Sequence, residues 1–342
     1  MTTVAAPTTV GRVHPLLRAA SERQLGLVTA ADAGRAGYDT SEIRHLCRSG
    51  RWVRLRRGVY VPQEILTAHE ASGRRHQVDC LAVLLGLGRP TATLSHGTAV
   101  RLRGFPVPRD APPVVRLTDP HQWRRGRDWA MTAAPLEPPD VETSGPFRLT
   151  SAARSLVDAA REWSLEDAVV AMDAALLRKR TTPAQLARVA EYQHHWPGAP
   201  RAQRAISLAD GRAESPLETR GRLRILGSGL PTPELQVEIH SGGRMLAVAD
   251  AWFDEAAVAI EFDGRVKYTK PWRDPGRVLW EEKRREDDVR ALDVRVLRVA
   301  DPDLGPRWPR TAERLRDWLS TPGPAVRRFT TVRRAHGTYR GG

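Results

Sequence analysis

The hydrophobic and polar positions near the start of the chain predict three short helices followed by a β-hairpin. The first two helices are expected over residues 14–24 and 29–36. The third lies between the capping residues 39–41 and Gly50, with Ile43 on its apolar face. β-Branched and aromatic residues on both sides of a glycine turn then predict the hairpin. Three short helices followed by a hairpin define a winged helix-turn-helix.

The region after the hairpin is predicted to be mostly helical, with one segment of short strands. A long helix is expected over residues 64–88. Residues 104–146 include nine prolines between short β-rich pieces, which indicates edge strands and turns. His96 is expected to be structural, because no acid or nucleophile lies near it in the sequence. Helical spacing returns over residues 151–163, 166–177 and 183–192.

After residue 213 the pattern predicts a different order of elements. A helix is expected to open near Ser215-Pro216, with proline in its first turn. The remaining elements are three strands, a charged helix and a last strand, at residues 235–240, 245–253, 257–263, 281–292 and 294–299. The order is therefore helix, three strands, helix and strand.

Acidic side chains gather at the hairpin of the second and third of these strands. With the hairpin tip at residues 254–256, Asp250 faces either Ile260 or Glu261. Glu261 and Asp263 share one side because strand side chains alternate, and the right register adds Asp250. Three carboxylates in one place repel one another unless a divalent cation neutralises them. The pattern predicts Mg²⁺ or Mn²⁺ held by Asp250, Glu261 and Asp263, able to activate water at a phosphate.

Lysines near this hairpin are candidates for the cation that such a site needs. The chain has four lysines, and Lys267, Lys270 and Lys283 follow Glu261 within 22 residues. Lys267 or Lys283 is expected to stabilise charge, although the helix carrying Lys283 is explained equally well as a solvated face with intrahelical ion pairs. Glu218 can reach the metal from the preceding helix, or it is an exposed first-turn acid favoured by the helix dipole.

The charge of the chain favours a polyanionic partner. The formal net charge is +14, and eleven of these excess charges lie in residues 1–60 and 321–342. A GC-rich coding sequence would raise the arginine content throughout, so the clustering favours nucleic acid. Residues 321–342 are expected to form a flexible basic arm that attracts phosphates, or an unstructured overhang.

The winged helix is expected to bind DNA, with its third helix in the major groove and its wing on adjacent phosphates. The residues expected to contact DNA are Ser41, Arg44, His45, Arg48, Arg51, Arg54, Arg56 and Arg57. The alternatives are that these arginines only solvate a small helical domain, or that the winged helix binds protein.

Composition excludes several other classes of protein. Cys47 and Cys80 allow no disulfide framework and lack the spacing of a zinc site. The longest apolar run, residues 80–87, is too short to cross a bilayer, and the N-terminus lacks a signal-peptide pattern. We therefore expect a cytoplasmic protein without a membrane partner.

Residues 10–63 resemble the N-terminal winged-helix domain of AbiEi-type antitoxins from type IV toxin-antitoxin systems. The resemblance is carried by residues 28–37 and by the wing at residues 51–62. It extends weakly through residues 94–96 and 149–158. The resemblance implies a DNA-binding antitoxin with a cognate toxin as its partner.

Residues 213–304 are similar to an actinobacterial family related to very-short-patch-repair endonucleases, within the PD-(D/E)XK superfamily. The motifs that carry the similarity are, in order, ESPLETRGR, Asp250, IEFDGRVKY, EEKRREDDVRAL and VRVLRV. They imply a restriction-endonuclease-like αβββαβ core, with Asp250 and Glu261 as metal ligands, Glu218 beside them, and hydrolysis of a phosphodiester. Asp263 stands where the superfamily usually has Lys. Either Lys267 or Lys283 has taken that role, or the fold is kept without cutting.

These patterns predict an α/β chain, α+β overall, in four segments. They are a winged helix at 10–63, an antitoxin-like middle region at 64–210, an endonuclease-like domain at 211–320 and a basic tail at 321–342. The first hypothesis is a metal-dependent endonuclease-like protein of defence, repair or a toxin-antitoxin system, delivered to DNA by its winged helix. The alternative is a non-catalytic antitoxin or autorepressor whose degenerate nuclease fold serves binding or homodimerisation. A third is a protein-interaction role with incidental DNA contact.

Overall fold

A computed structural model describes residues 14–263 and 284–334, which form a mixed α/β chain with three sheets. The described residues divide into two compact units. The first contains residues 14–104 and 109–158, and the second contains the remainder. The predicted α/β class is confirmed. Within the residues described, every helix is too short or too polar to cross a membrane.

The first unit begins with a winged-helix-like region. Its elements are α1 (Pro15–Arg23), β1 (Val28–Thr29), α2 (Ala30–Arg35), α3 (Thr40–Arg48), β2 (Trp52–Arg56) and β3 (Val59–Pro62). The three strands form an antiparallel sheet in the order β1-β3-β2. Thr29 and Asp39 cap α2 and α3, each in a capping box. The predicted three helices and hairpin are confirmed.

Three more helices and a six-stranded mixed sheet complete the first unit. The helices are α4 (Gln63–Ala71), α5 (Arg75–Leu87) and α6 (His96–Leu102). The strands are β4 (Thr93–Leu94), β5 (Val115–Asp119), β6 (Arg124–Arg125), β7 (Trp129–Ala133), β8 (Val141–Ser144) and β9 (Phe147–Thr150), in the order β6-β7-β5-β4-β9-β8. One hydrophobic core joins this sheet to the winged-helix-like region. Its members include Leu27, Val59, Val61, Leu94, Leu117 and Met131.

The single long helix expected over residues 64–88 is wrong. The chain forms α4 and α5 there, separated at Ser72-Gly73, where Gly73 has a φ of +69°. Glycine adopts this left-handed conformation without the steric cost of a Cβ. The apolar pattern continues across the break because both helices bury side chains in the same core. His96 is buried and hydrogen-bonds through Nδ1 with Ser95 Oγ at 2.8 Å, as expected of a structural histidine.

Helices form at the three stretches predicted for them, residues 151–163, 166–177 and 183–192. α7 (Ala152–Ala160) starts in the first unit, and the helices that follow are α8 (Leu165–Leu177), α9 (Pro183–Tyr192), α10 (Ala199–Leu208) and α11 (Pro216–Gly227). The buried Asp173 carboxylate of α8 accepts hydrogen bonds from Thr219 Oγ1 at 2.9 Å and Arg222 Nη2 at 2.8 Å. These bonds fix α11 against α8.

A five-stranded sheet follows α11. Its strands are β10 (Glu234–Ser241), β11 (Arg244–Phe253), β12 (Val258–Asp263), β13 (Arg295–Ala300) and β14 (Thr330–Arg333), in the order β13-β12-β11-β10-β14. Only the pairing of β12 with β13 is parallel among these described strands. One face packs on α11 and α13 (Trp308–Leu319), and the other packs on α12, residues 284–290. The predicted order of helix, three strands, helix and strand is confirmed.

The flexible basic arm expected at the C-terminus is wrong for residues 321–334. β14 pairs with the open edge of β10, which satisfies backbone groups that a free arm would leave to water. The arginines of this segment pair with acids of the same unit, in the pairs Arg327–Asp254, Arg328–Asp293, Arg333–Glu234 and Arg334–Glu214. Part of the C-terminal charge excess is therefore neutralised within the protein. Residues 335–342 lie outside the described residues.

α11 packs tightly against the sheet at Gly221, where an added Cβ would lie 1.9 Å from Cε1 of Phe262. We expect Gly221→Ala to lower the free energy of unfolding by about 2 kcal/mol, because the ring or the helix must move. Gly227→Ala in the same helix is the matched control, since nothing lies within 4 Å of its Cβ position. The control should be neutral or slightly stabilising. Urea unfolding compares the two, and equal midpoints would contradict the expectation.

Candidate nucleic-acid interface

Helix α3 has one buried side and one basic, exposed side. Asp39 caps it by accepting hydrogen bonds from the backbone N–H groups of Glu42 at 2.8 Å and Ser41 at 2.6 Å. These bonds, with that from Glu42 foremost, lower the pKa of Asp39. Ile43 is buried in a core that includes Trp52 of β2. The opposite side leaves four predicted DNA-binding residues exposed, namely Ser41, Arg44, His45 and Arg48.

The wing follows α3 directly and adds three exposed arginines. β2 and β3 meet at Arg57-Gly58, where Gly58 has a φ of +74°. Arg51, Arg54 and Arg57 are exposed on this hairpin and at its start. Arg54 is oriented by a hydrogen bond from its Nε to the Arg56 carbonyl oxygen, at 3.3 Å. Seven of the eight predicted DNA-binding side chains are therefore open to solvent.

Arg56 differs from the other seven. Its side chain is 18% exposed, and its Nη2 donates a hydrogen bond to Asp128 Oδ2 at 2.6 Å. The aliphatic part of the side chain packs on Gly86 of α5. Arg56 therefore holds the wing to the turn between β6 and β7 and shares its charge with a carboxylate. A phosphate at this position would have to compete with Asp128.

The three carboxylates predicted to share a metal ion have different partners. Asp250 Oδ2 accepts a hydrogen bond from the Phe262 backbone N–H at 2.7 Å. Glu261 lines a small cavity beside α12 and is paired with Arg285 at 3.0 Å and Arg298 at 3.3 Å. Asp263 lies opposite Ala300 in the β12–β13 ladder. Among residues 14–263 and 284–334, no group of three or more His, Cys, Asp or Glu is arranged to hold a metal ion. The side chains of Asp250, Glu261 and Asp263, as the structure places them, do not form the expected Mg²⁺ or Mn²⁺ site together. That site stays a prediction.

A break in the side-chain alternation of β11, at Asp250, separates these carboxylates. Ala251 pairs with Ile260, the register in which Glu261 is the position opposite Asp250. Strict alternation would then place both acids on one side. Ala249 and Ala251, on either side of Asp250, pack in the cores on opposite faces of the sheet, however. Gln236, between their partners in β10, has a φ of +54°. Alternation is broken at this point, so the sequence pattern alone could not place the acids.

Glu218 of α11 is buried, so the exposed first-turn acid considered for it is wrong. Its side chain is 8% exposed, and its Oε2 accepts hydrogen bonds from the Glu214 backbone at 2.7 Å and from Gln236 Nε2 at 3.0 Å. Gln236 Nε2 also lies 3.4 Å from Asp250 Oδ1. Burial, followed by the charge of Asp250, raises the pKa of Glu218 to about 7. Gln236 is not among the site residues predicted from the sequence, because a single glutamine in a strand carries no signal.

We expect Glu218→Gln to stabilise the protein at pH 8 by about 2 kcal/mol and to change little at pH 4.5. The raised pKa means that the folded state binds more protons between pH 4.5 and about 7, so wild-type stability falls as the pH rises through this window. The amide keeps the acceptor oxygen and cannot ionise. Thermal unfolding at both pH values tests this expectation. A stability difference that does not vary with pH would refute it.

The two lysines proposed for catalysis, Lys267 and Lys283, lie outside the described residues, as does Lys270. The structure therefore brings together Glu218, Gln236 and Asp250, while Glu261 lies with the arginines of α12 and β13. The exposed arginines of α3 and the wing form a separate surface in the first unit. The comparison with known proteins concerns this surface of α3 and the wing.

Residues 15–63 match the family model described as "Transcriptional regulator, AbiEi antitoxin". The match covers α1 to α3 and both strands of the wing. The chain therefore carries an AbiEi-type domain at its N-terminus.

The chain belongs to the same family as two proteins of Mycobacterium tuberculosis. They are named "Uncharacterized protein Rv2248" in strain ATCC 25618 / H37Rv and "Uncharacterized protein MT2308" in strain CDC 1551 / Oshkosh. Identity to each is 33% over 217 residues, which is 63% of this chain and 75% of the relative. The similarity therefore extends well beyond the AbiEi-type domain.

Proposed function

We propose that the protein is a DNA-binding transcriptional regulator of the antitoxin type. The observation that carries this proposal is the exposed basic face of α3, with Arg44, His45 and Arg48 beside the arginines of the wing. Ile43 and Trp52 fix the helix and the wing on one core. The match to the AbiEi antitoxin model supports the same function.

The dimensions of α3 suit a major groove. Its nine residues give a helix about 13 Å long, and the groove of B-DNA admits a helix of this diameter. Arginines on the exposed side can reach base edges, while the wing arginines contact phosphates and set the position of the helix. In this arrangement Arg44 and Arg48 of α3 face the base edges, and Arg54 and Arg57 of the wing contact the DNA backbone.

The test is binding of the purified protein to a fragment upstream of its own coding sequence. Under the proposal the fragment is bound in preference to an unrelated duplex of equal length, and the affinity falls steeply with salt. Equal affinity for both duplexes at physiological salt would contradict a regulatory role. A cognate toxin and a homodimer belong to the same proposal. Copurification with the product of a neighbouring reading frame tests the first, and sedimentation tests the second.

A second candidate function is phosphodiester hydrolysis by the C-terminal sheet. The specific observation that favours it is that the buried Glu218 and Asp250 both lie within 3.4 Å of Gln236 Nε2. They belong to a C-terminal unit whose elements follow the order helix, three strands, helix and strand. Incubation of plasmid DNA with the protein and Mg²⁺ or Mn²⁺ tests it. Nicking by wild type that Asp250→Ala abolishes would support a nuclease. Nicking by both proteins alike would indicate a contaminant.

A further inference from the structure

The β6–β7 ribbon of the first unit carries an exposed tryptophan. Trp123 immediately precedes β6 and is 70% exposed. Most tryptophans bury their large apolar surface, so a side chain held this far into solvent is available to a partner. Its neighbours show what kind of partner would fit.

The residues that follow Trp123 are strongly basic. Arg124, Arg125 and Arg127 are all exposed, and none of them forms an ion pair within the described residues. The carboxylate of Asp128 is paired with Arg56 at 2.6 Å. The ribbon therefore combines three uncompensated positive charges with one large apolar side chain, a combination that is complementary to a nucleic-acid backbone.

The ribbon is held in a defined conformation. β6 and β7 pair through Arg124 with Met131 and through Arg125 with Ala130. Asp119, at the end of β5, accepts hydrogen bonds from the His121 backbone at 2.9 Å and from Thr91 Oγ1 at 2.7 Å. These contacts fix the chain on both sides of Trp123, so the basic residues are held in a defined arrangement.

The ribbon lies beside the wing. The ion pair between Arg56 of β2 and Asp128 joins the two hairpins directly. An extended chain spans at most about 3.6 Å per residue. Arg127 is therefore adjacent to this contact, and Trp123 lies no more than about 18 Å of chain from it. A duplex whose backbone touches the wing passes within reach of the ribbon.

We propose that the β6–β7 ribbon is a second DNA-contact surface, which binds the duplex that flanks the segment contacted by α3 and the wing. The arginines neutralise phosphates of the flank, and the Trp123 indole packs on its sugars. This inference rests on the proposed function, since the ribbon lengthens the stretch of DNA that the protein contacts. It contributes little to sequence choice, because phosphate and sugar contacts do not read bases.

The experiment uses the full chain and two duplexes centred on the wild-type footprint. The short one is about 15 base pairs, and the long one about 35 base pairs, which adds one helical turn on each side. The ribbon variant is Arg124→Ala/Arg125→Ala/Arg127→Ala, and a second variant is Trp123→Ser. We expect the triple variant to bind the long duplex about tenfold more weakly, with a smaller salt slope. The affinity of Trp123→Ser for the long duplex should fall about fivefold. Both variants should bind the short duplex as wild type does.

Matched controls remove the same chemistry elsewhere. Arg180→Ala/Arg188→Ala/Arg204→Ala takes three exposed arginines from the second unit, and Tyr192→Ser removes an exposed aromatic side chain. Both controls should bind each duplex as wild type does. A hydroxyl-radical footprint of the ribbon variants should be shorter at one end of each protected site.

The outcomes separate the two proposals. Unchanged affinity of the ribbon variants for the long duplex overturns the inference while the regulatory function stands. So does an equal loss on both duplexes. If wild type binds neither duplex, the proposed function itself fails. Loss on the long duplex alone, with the shortened footprint, supports the ribbon contact.

Discussion

Arg44→Ala/Arg48→Ala should weaken binding to the upstream fragment about 100-fold. Both side chains are exposed on the same side of α3, opposite the buried Ile43. A well-placed arginine contact to DNA contributes about 1–3 kcal/mol, so the loss of two corresponds to this factor. Fluorescence anisotropy at several salt concentrations measures both the affinity and the salt slope.

The matched control for this pair is Arg180→Ala/Arg204→Ala, which removes two exposed arginines from the second unit. It should bind within a factor of two of wild type, since those residues lie outside the winged-helix-like region. Equal losses in the two double variants would mean that overall charge and not the face of α3 determines binding. The proposed docking of α3 would then be wrong.

Arg154→Met should lower the free energy of unfolding by about 3–5 kcal/mol. The Arg154 side chain is 1% exposed and forms ion pairs with Asp140 and Asp158, each at 3.0 Å. It also donates a hydrogen bond to the Pro135 carbonyl at 3.2 Å. Methionine fills a similar volume but leaves two carboxylates with less compensation in a site with little water. Calorimetry should show the first unit unfolding at least about 10 °C lower.

Arg154→Lys and Arg188→Met calibrate this prediction. Lysine keeps the charge but cannot form the two-pronged contact of a guanidinium, so its loss should be intermediate. Arg188 is exposed, and its replacement by methionine should change stability by no more than about 0.5 kcal/mol. At low temperature Arg154→Met should still bind DNA, because Arg154 is not on the α3 surface. A transition at the wild-type temperature would contradict the role of the ion pairs.

Local signals explain why the winged-helix-like region could be predicted from the sequence. Asp39 and Thr29 lie at helix starts with acidic residues three positions later, and each forms a capping box in the structure. Gly58 takes the positive φ that the wing turn requires. These devices act over a few residues, so the sequence contains all that is needed to place them.

The C-terminal site could be predicted only in part, because its geometry depends on contacts between distant residues. The register of β11 and β12 followed from the hairpin tip, and Ala251 pairs with Ile260 as one of the two expected registers requires. The left-handed conformation of Gln236 has no local sign such as glycine. Arg298 comes 37 residues after Glu261, yet the two pair at 3.3 Å. Pairings of this kind are invisible to periodicity.

The C-terminal strand shows the same limit. Residues 330–333 follow a proline- and arginine-rich stretch and make only a short run of β-branched residues, but the edge of β10 pairs with them. Arg333 then forms an ion pair with Glu234, which is 99 residues earlier in the chain. The sequence of this segment alone is typical of a solvated tail. The segment forms part of a sheet only because its partner strand lies far away along the chain.

The core that joins the wing to the six-stranded sheet bears on how this protein can be divided. Leu27, Val59 and Val61 are almost fully buried, and they share that core with side chains from β4, β5 and β7. A protease cut or a gene fusion just after residue 63 would remove the sheet that covers these side chains. The remaining fragment would expose an apolar surface and be prone to aggregation. The segment that matches the AbiEi model, residues 15–63, is therefore shorter than the part of the chain that covers its apolar side chains.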